Sequence, residues 1–122
     1  MGKSQRDKGA RWERELVQII RKRIPSWTVR RGYQSRGGIE EPDVTAGRFS
    51  LEAKHGVSPS PRRALRQAVE SAGDSGLIPC AVVKYHRGET IAVMRFDDFL
   101  DLIDGQESCS KTQKARADEE VL

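Results

Sequence analysis

The sequence is poor in the residues that build disulfide scaffolds, zinc clusters and membrane spans. Among 122 residues there are two cysteines and two histidines. Cys80 lies in an apolar, strand-like run and Cys109 in a polar stretch, and no Cys/His spacing resembles a zinc site. Two thiols so placed fit a reducing interior rather than a disulfide framework. No apolar run approaches the roughly 18 residues that a membrane span needs. The opening segment MGKSQRDKGARWERE is charged and leads into no signal-type apolar region. These absences predict a cytoplasmic protein with no membrane partner. Aromatics make up only 6% of the chain, which limits it to one modest core in a single domain.

Charge is plentiful, at 33% of residues, with Lys+Arg exceeding Asp+Glu by 22 to 18. That profile is polar but not the aromatic-free composition of a disordered chain. The excess is unevenly placed. Residues 1–66 hold 16 basic and 7 acidic side chains, a net +9, whereas residues 67–122 hold 6 and 11, a net −5. A basic half on a small domain points to a polyanionic partner, with nucleic acid foremost.

Periodicity places the elements. In 11–24 the apolar side chains at 12, 16, 17, 19, 20 and 24 gather on one side of a helical wheel, and Pro25 and Ser26 end that helix. A first strand is expected over 27–33, a loop over 34–41, and a short strand over 42–45. A turn at Ala46-Gly47 then leads into a strand over 48–54. In that strand Phe49, Leu51 and Ala53 face one way, and Ser50, Glu52 and Lys54 the other. Ser60 followed by Pro61 reads as N-cap and first residue of a second helix, running to about Ala72. Residues 78–85 and 90–95 make a hairpin, and Asp97 caps a short last helix over 98–103. The order is α-β-β-β-α-β-β-α, predicting an α/β fold with a central mixed β-sheet flanked by helices. The domain is expected over 1–103, with a disordered polar tail over 104–122.

One set of charges stands out. If the strands around the Ala46-Gly47 turn pair, Asp43 and Glu52 come close on one side of the hairpin, with Lys54 two residues further along. Two carboxylates at that distance repel unless one takes a proton or a cation covers both. All-oxygen ligation points to Mg²⁺, with Mn²⁺ substituting. Glu13 lies within the apolar stripe of the first helix, where a carboxylate is costly without a partner. It either joins the same cluster or forms a salt bridge with Lys8 or Arg14. Three carboxylates, a lysine and surrounding arginines suit metal-assisted phosphodiester hydrolysis. The same residues on a solvated hairpin face would be ordinary cross-strand pairs, and spacing alone leaves both readings open.

The segments Lys8-Gly-Ala-Arg-Trp-Glu-Arg-Glu-Leu16, Val29-Arg-Arg31, Pro42-Asp43-Val-Thr-Ala-Gly47 and Leu51-Glu-Ala-Lys54 resemble the successive motifs of archaeal-type Holliday-junction resolvases. These belong to the restriction-endonuclease-like nucleases, whose signature is Pro-Asp followed by Asp/Glu-x-Lys. The similarity runs over roughly residues 8–103, with its specific motifs in 8–54. It implies a restriction-endonuclease-like core and a homodimeric, Mg²⁺-dependent endonuclease acting on branched DNA, without a nucleotide cofactor. Glu13 then matches the helix glutamate of the active site, Arg14 a DNA-holding arginine, and Arg31 an arginine near the scissile phosphate. Asp43 and Glu52 match the metal-binding carboxylates, the backbone carbonyl of Ala53 a further ligand, and Lys54 the catalytic lysine. Gln67 corresponds to a polar active-site residue of many superfamily members. The loop over 32–41, with Glu40 and Glu41, looks longer than in the archaeal group. The segment after Lys54 is more like compact bacteriophage-encoded relatives, for which the setting would be the host cytoplasm.

A DNA track is expected from Lys8, Arg11, Arg14, Arg30, Arg31, Arg36, Arg62, Arg63 and Arg66, although a charge run is more often a solvated face. Trp12, Trp27 and Phe49 read as core, with a junction wedge as the alternative for any that is exposed. His55 and His86 are given no role. Two further functions remain beside junction resolution: a less selective nuclease acting on flaps, nicks or duplex, and a DNA-binding module without catalysis.

Overall fold

The structure, a computed structural model, describes residues 2–32 and 42–105, with side chains from Gly9 onward. Helix α1 (Gly2–Arg23) precedes strands β1 (Val29–Arg31), β2 (Val44–Ala46) and β3 (Phe49–Gly56). Helix α2 (Pro61–Ala72), strands β4 (Ile78–Tyr85) and β5 (Thr90–Met94) and a helix α3 over 96–105 follow. The five strands form one sheet in chain order, β1-β2-β3-β4-β5. β1–β2, β2–β3 and β4–β5 pair antiparallel, and β3 runs parallel to β4 with α2 as the crossover.

Each helix packs on a different set of sheet residues. Trp12, Leu16 and Val17 of α1 are buried against Val29, Val44, Ala46, Leu51, Ala53 and Cys80. Burying each such side chain stabilises the fold by about 1.5–3 kcal/mol. Ala64 of α2 packs with Ala81 and Val83, joined by Leu65, Tyr85, Ile91 and Val93. Register partners point to the same side of a sheet. Leu51 pairs with Cys80, whereas Glu52 pairs with Ala81 and Lys54 with Val83. Leu51 and Ala53 therefore face α1, and Glu52 and Lys54 face the α2 layer, as the alternation predicts.

Several boundaries differ from those read in the sequence. α1 begins near the N-terminus at Gly2, because its first turns need no apolar stripe to be helical. β1 is confined to Val29–Arg31, and Trp27 instead lies across the β2–β3 turn, 5.8 Å from the Phe49 ring. That turn is Gly47-Arg48 rather than Ala46-Gly47. Gly47 has φ +56, and a Cβ there would meet the Trp27 ring at 2.8 Å, so both backbone and packing call for glycine. β3 continues past Lys54 to Gly56. Ser60 caps α2 as expected, its hydroxyl accepting from the Arg63 N–H at 3.2 Å. α3 starts at 96 rather than 98, so Asp97 lies inside it, and it runs past the expected end at 103. Arg36, Glu40, Glu41, Cys109 and the tail beyond 105 fall outside the described residues.

Cys80 is a free, buried thiol whose pKa burial pushes upward. No helix among the described residues is long and apolar enough to cross a membrane.

Candidate active site

The carboxylates meet where β2 gives way to the preceding chain. Val44 pairs with Leu51, and one step outward along that antiparallel ladder Asp43 stands opposite Glu52. The Asp43 carboxylate accepts the Ala53 N–H at 2.9 Å, so its side chain takes the place of the next ladder bond. In a strand the N–H and C=O of one residue point to the same edge. The Ala53 carbonyl is therefore aimed at the edge where Asp43 sits. The Gly32 N–H donates to the Asp43 carbonyl at 3.0 Å, tying the end of β1 to the same place.

Glu52 is 7% exposed. Its pKa rises from 4.5 to about 8, first through burial, then through the charge of Asp43 and a hydrogen bond with it, with Glu13 adding to the rise and Lys54 opposing it. In the protein alone, Glu52 thus holds a proton against Asp43 at neutral pH. The alternative of a solvated hairpin face is corrected by this burial: the sheet and the helical layer close over Glu52.

Glu13, 5% exposed, is also buried. Its Oε1 accepts from Arg31 Nη2 at 3.2 Å and from Nε at 3.3 Å. Arg31 is thus a partner that the sequence reading did not name, and of the two it did name the side chain of Lys8 lies outside the described residues. The pair joins residues 18 apart in the chain, because Arg31 is the register partner of Val44 and so faces α1. Glu13 and Arg31 thus stand on the α1 side, while Glu52 and Lys54 open toward α2. Consistent with that division, no three Asp, Glu, His or Cys side chains among the described residues are grouped closely enough to hold one metal ion.

Lys54 lines a depression of about 630 Å³ together with His55, Ser58, Ser60 and Arg63. Arg11, Arg14, Arg30, Arg62, Arg63 and Arg66 are all exposed. Lys8 lies within α1. Gln67 faces inward from α2, and its Oε1 is buried without a hydrogen-bond partner among the described residues, as is the Ser50 hydroxyl on β3. Trp12 is 3% exposed and donates its indole N–H to the Val82 carbonyl at 3.4 Å, so it is core and no wedge. Lys84 lies 5.0 Å from the Trp12 ring and pairs with Glu15 at 3.0 Å, a contact that sequence spacing gave no sign of.

No family profile matches the sequence, and no curated protein sequence matches it. Among solved structures, one match is Hjc of Archaeoglobus fulgidus, a Holliday junction resolvase from an archaeal hyperthermophile. The TM-score is 0.53 at 22% identity, over 71% of this chain and 72% of that one. The fold is that of an archaeal junction resolvase. The mixed sheet with flanking helices is thus the α/β architecture expected from the sequence, and it is shared with that resolvase.

Proposed function

We propose that the chain is a homodimeric, Mg²⁺-dependent DNA endonuclease that resolves four-way junctions by paired symmetric nicks. The observation that carries this reading is the pairing of half-buried Asp43 with buried Glu52 beside Lys54, in a fold shared with a junction resolvase. The donor set is chemically suited to a hard cation: two carboxylates that share a proton, and the Ala53 carbonyl at the same edge. Asp43, Glu52 and the Ala53 carbonyl would hold Mg²⁺ or Mn²⁺, with Glu13 near enough to add its negative field. Held there in place of the shared proton, a divalent cation would supply Lewis-acid chemistry toward a phosphate oxygen and an attacking water.

The chain's own groups supply the rest. Lys54 orients the attacking water and offsets negative charge that develops on the phosphoryl oxygens. Arg31, held by the buried Glu13, directs its remaining N–H groups toward a non-bridging oxygen. The exposed arginines of α1, β1 and α2, with Lys8 and Arg36, hold flanking phosphates and set the register of the DNA. Gln67 is a polar group of the α2 layer available to the same site. A two-fold enzyme places two sites on a two-fold junction. The stripe of Phe96, Phe99, Leu100 and Ile103 on α3, exposed by 69, 45, 45 and 38%, supports a second copy as the covering partner. Neither a nucleotide cofactor nor a membrane is required, and the setting is cytoplasmic.

The test is cleavage of synthetic four-way junctions by purified protein in Mg²⁺, beside flap, nicked and duplex substrates. Paired nicks near the branch by wild type, abolished in Asp43→Asn and Lys54→Ala, are expected. Equal cutting of all substrates would instead favour the less selective nuclease. Junction binding that survives EDTA without cleavage in Mg²⁺ would favour a binding module.

A further inference from the structure

The concave surface continues past Lys54 along the end of the sheet. Val57 belongs both to the depression that Lys54 lines and to a second one of about 640 Å³, whose other walls include Tyr85, His86, Arg87, Glu89 and Ile91. The β4–β5 hairpin forms this second depression by leaning on the end of β3. The His86 N–H donates to the Gly56 carbonyl at 2.8 Å, and the His55 and His86 rings face each other with centroids 6.5 Å apart and planes 28° apart. Gly88 closes the turn against Tyr85, where an added Cβ would approach the Tyr85 Cβ to 3.2 Å.

Val57 is 79% exposed, an apolar side chain left in water next to the proposed site. Tyr85 and His86 bring aromatic rings to the lining, Arg87 a cation and Glu89 a carboxylate acceptor. That combination matches a nucleobase on its backbone. The flat face stacks on aromatic rings, the phosphate meets the guanidinium, and an exocyclic amine donates to the carboxylate. The volume is within the range of small-ligand sites. Val57 is three residues beyond Lys54, at most about 10 Å at the rise of an extended chain. That span equals about three base steps of 3.4 Å.

We infer that this depression receives one unstacked nucleobase of the substrate strand, within about three nucleotides of the phosphodiester presented to Lys54. The inference rests on the nuclease reading above and adds a means of selecting branch points. A continuous duplex must break stacking to fill the pocket, whereas a branch offers a base that is already loosely stacked.

The test is a double-mutant cycle between side chain and base. Once the cut is mapped, a single abasic site is walked through the three nucleotides on either side of it in a four-way junction. Binding is then measured with Ca²⁺ in place of Mg²⁺ for wild type, His86→Ala and Tyr85→Leu. At one position, loss of the base is expected to weaken wild-type binding about tenfold and the variants' binding less than about twofold. His86 is exposed, so His86→Ala keeps the cycle interpretable even if Tyr85→Leu folds poorly. A flat scan in a wild type that still cuts junctions overturns the pocket and leaves the nuclease reading intact. The same holds if the abasic effect is equal in wild type and both variants. A wild type that neither binds nor cuts branched DNA overturns both.

Discussion

Replacing Glu52 with glutamine should stabilise the metal-free protein while removing its activity. An unfolded Glu52 ionises near 4.5, whereas the folded group keeps its proton up to about 8, because it is buried against Asp43 with Glu13 nearby. Between those two values the folded state binds more protons than the unfolded one, so stability falls as pH rises through the window and is unaffected below it. At pH 7 the penalty has a ceiling of about 3 kcal/mol, from 1.36 kcal/mol per pH unit above 4.5. The site opens to solvent at the Asp43 edge, and screening there reduces the figure to about 1–2 kcal/mol. Glutamine keeps a donor for Asp43 and never ionises. Glu52→Gln should therefore melt about 5–10 °C above wild type at pH 7–8 in EDTA, using roughly 4–8 °C per kcal/mol for a domain of this size. At pH 4.5 the two should melt together. Saturating Mg²⁺ should narrow the gap at pH 8, since a ligand that binds only the folded wild type raises its stability. Thermal unfolding followed by far-UV circular dichroism across pH 4.5–8.5 provides the measurement. A variant less stable than wild type at pH 8, or a difference that does not grow with pH, would refute the buried proton-sharing pair.

Arg31→Ala should cost about 2–4 kcal/mol, because it removes the guanidinium that donates to the buried Glu13 carboxylate; Arg31→Ala combined with Glu13→Gln should recover most of it, as chemical denaturation would show. Gly47→Ala forces a Cβ to within 2.8 Å of the Trp27 ring at φ +56, and should lower stability by about 1–3 kcal/mol with a loss of tryptophan signal change on unfolding. Removing Arg62, Arg63 or Arg66 singly should weaken binding to any DNA and reduce the slope of log K against log salt by about 1 each, measured by fluorescence anisotropy. Phe96→Ser with Phe99→Ser should shift a dimer to monomer in light scattering, without changing the far-UV spectrum.

Local chemistry made much of this fold legible. The Ser60-Pro61 start of α2, the β4–β5 hairpin and the alternation of Leu51 and Ala53 against Glu52 and Lys54 all follow from turn chemistry and period-2 patterning. That Asp43 and Glu52 share one side of the hairpin follows as well, but their direct opposition does not: a turn at Ala46-Gly47 would set Asp43 opposite Ser50, and the Gly47-Arg48 turn sets it opposite Glu52. Partners distant in the chain were not legible. Nothing in the spacing of residues 13 and 31, or of 15 and 84, signals that they pair. Those contacts depend on how α1 lies across the sheet, which is decided by the packing of Trp12, Leu16 and Val17 rather than by the charges. The start of α1 and the short span of β1 were misjudged for a related reason. Periodicity reports burial, and neither the first turns of α1 nor the chain around Trp27 follows it.

The position of the charged pair explains why a small domain tolerates it. β3 lies at the centre of the sheet, between β2 and β4, and touches both helices: its odd residues anchor α1, and its even residues carry Glu52 and Lys54. Asp43 reaches that strand only where β2 has ended, replacing a ladder acceptor with its own carboxylate. The backbone hydrogen bonding of the sheet thus continues into the site, and moving the Asp43 carboxylate away would break it. The repulsion between Asp43 and Glu52 is therefore not relieved by side-chain movement, but by a proton or a cation. The carboxylate pair lies on the basic half of the chain, +9 before any cation is added, which under the proposed function would attract the phosphates of DNA. Titrating Mg²⁺ into the protein at pH 7 should release about one proton per site, detectable in a weakly buffered solution. Glu52→Gln should release none, and release equal to wild type from that variant would place the shared proton elsewhere.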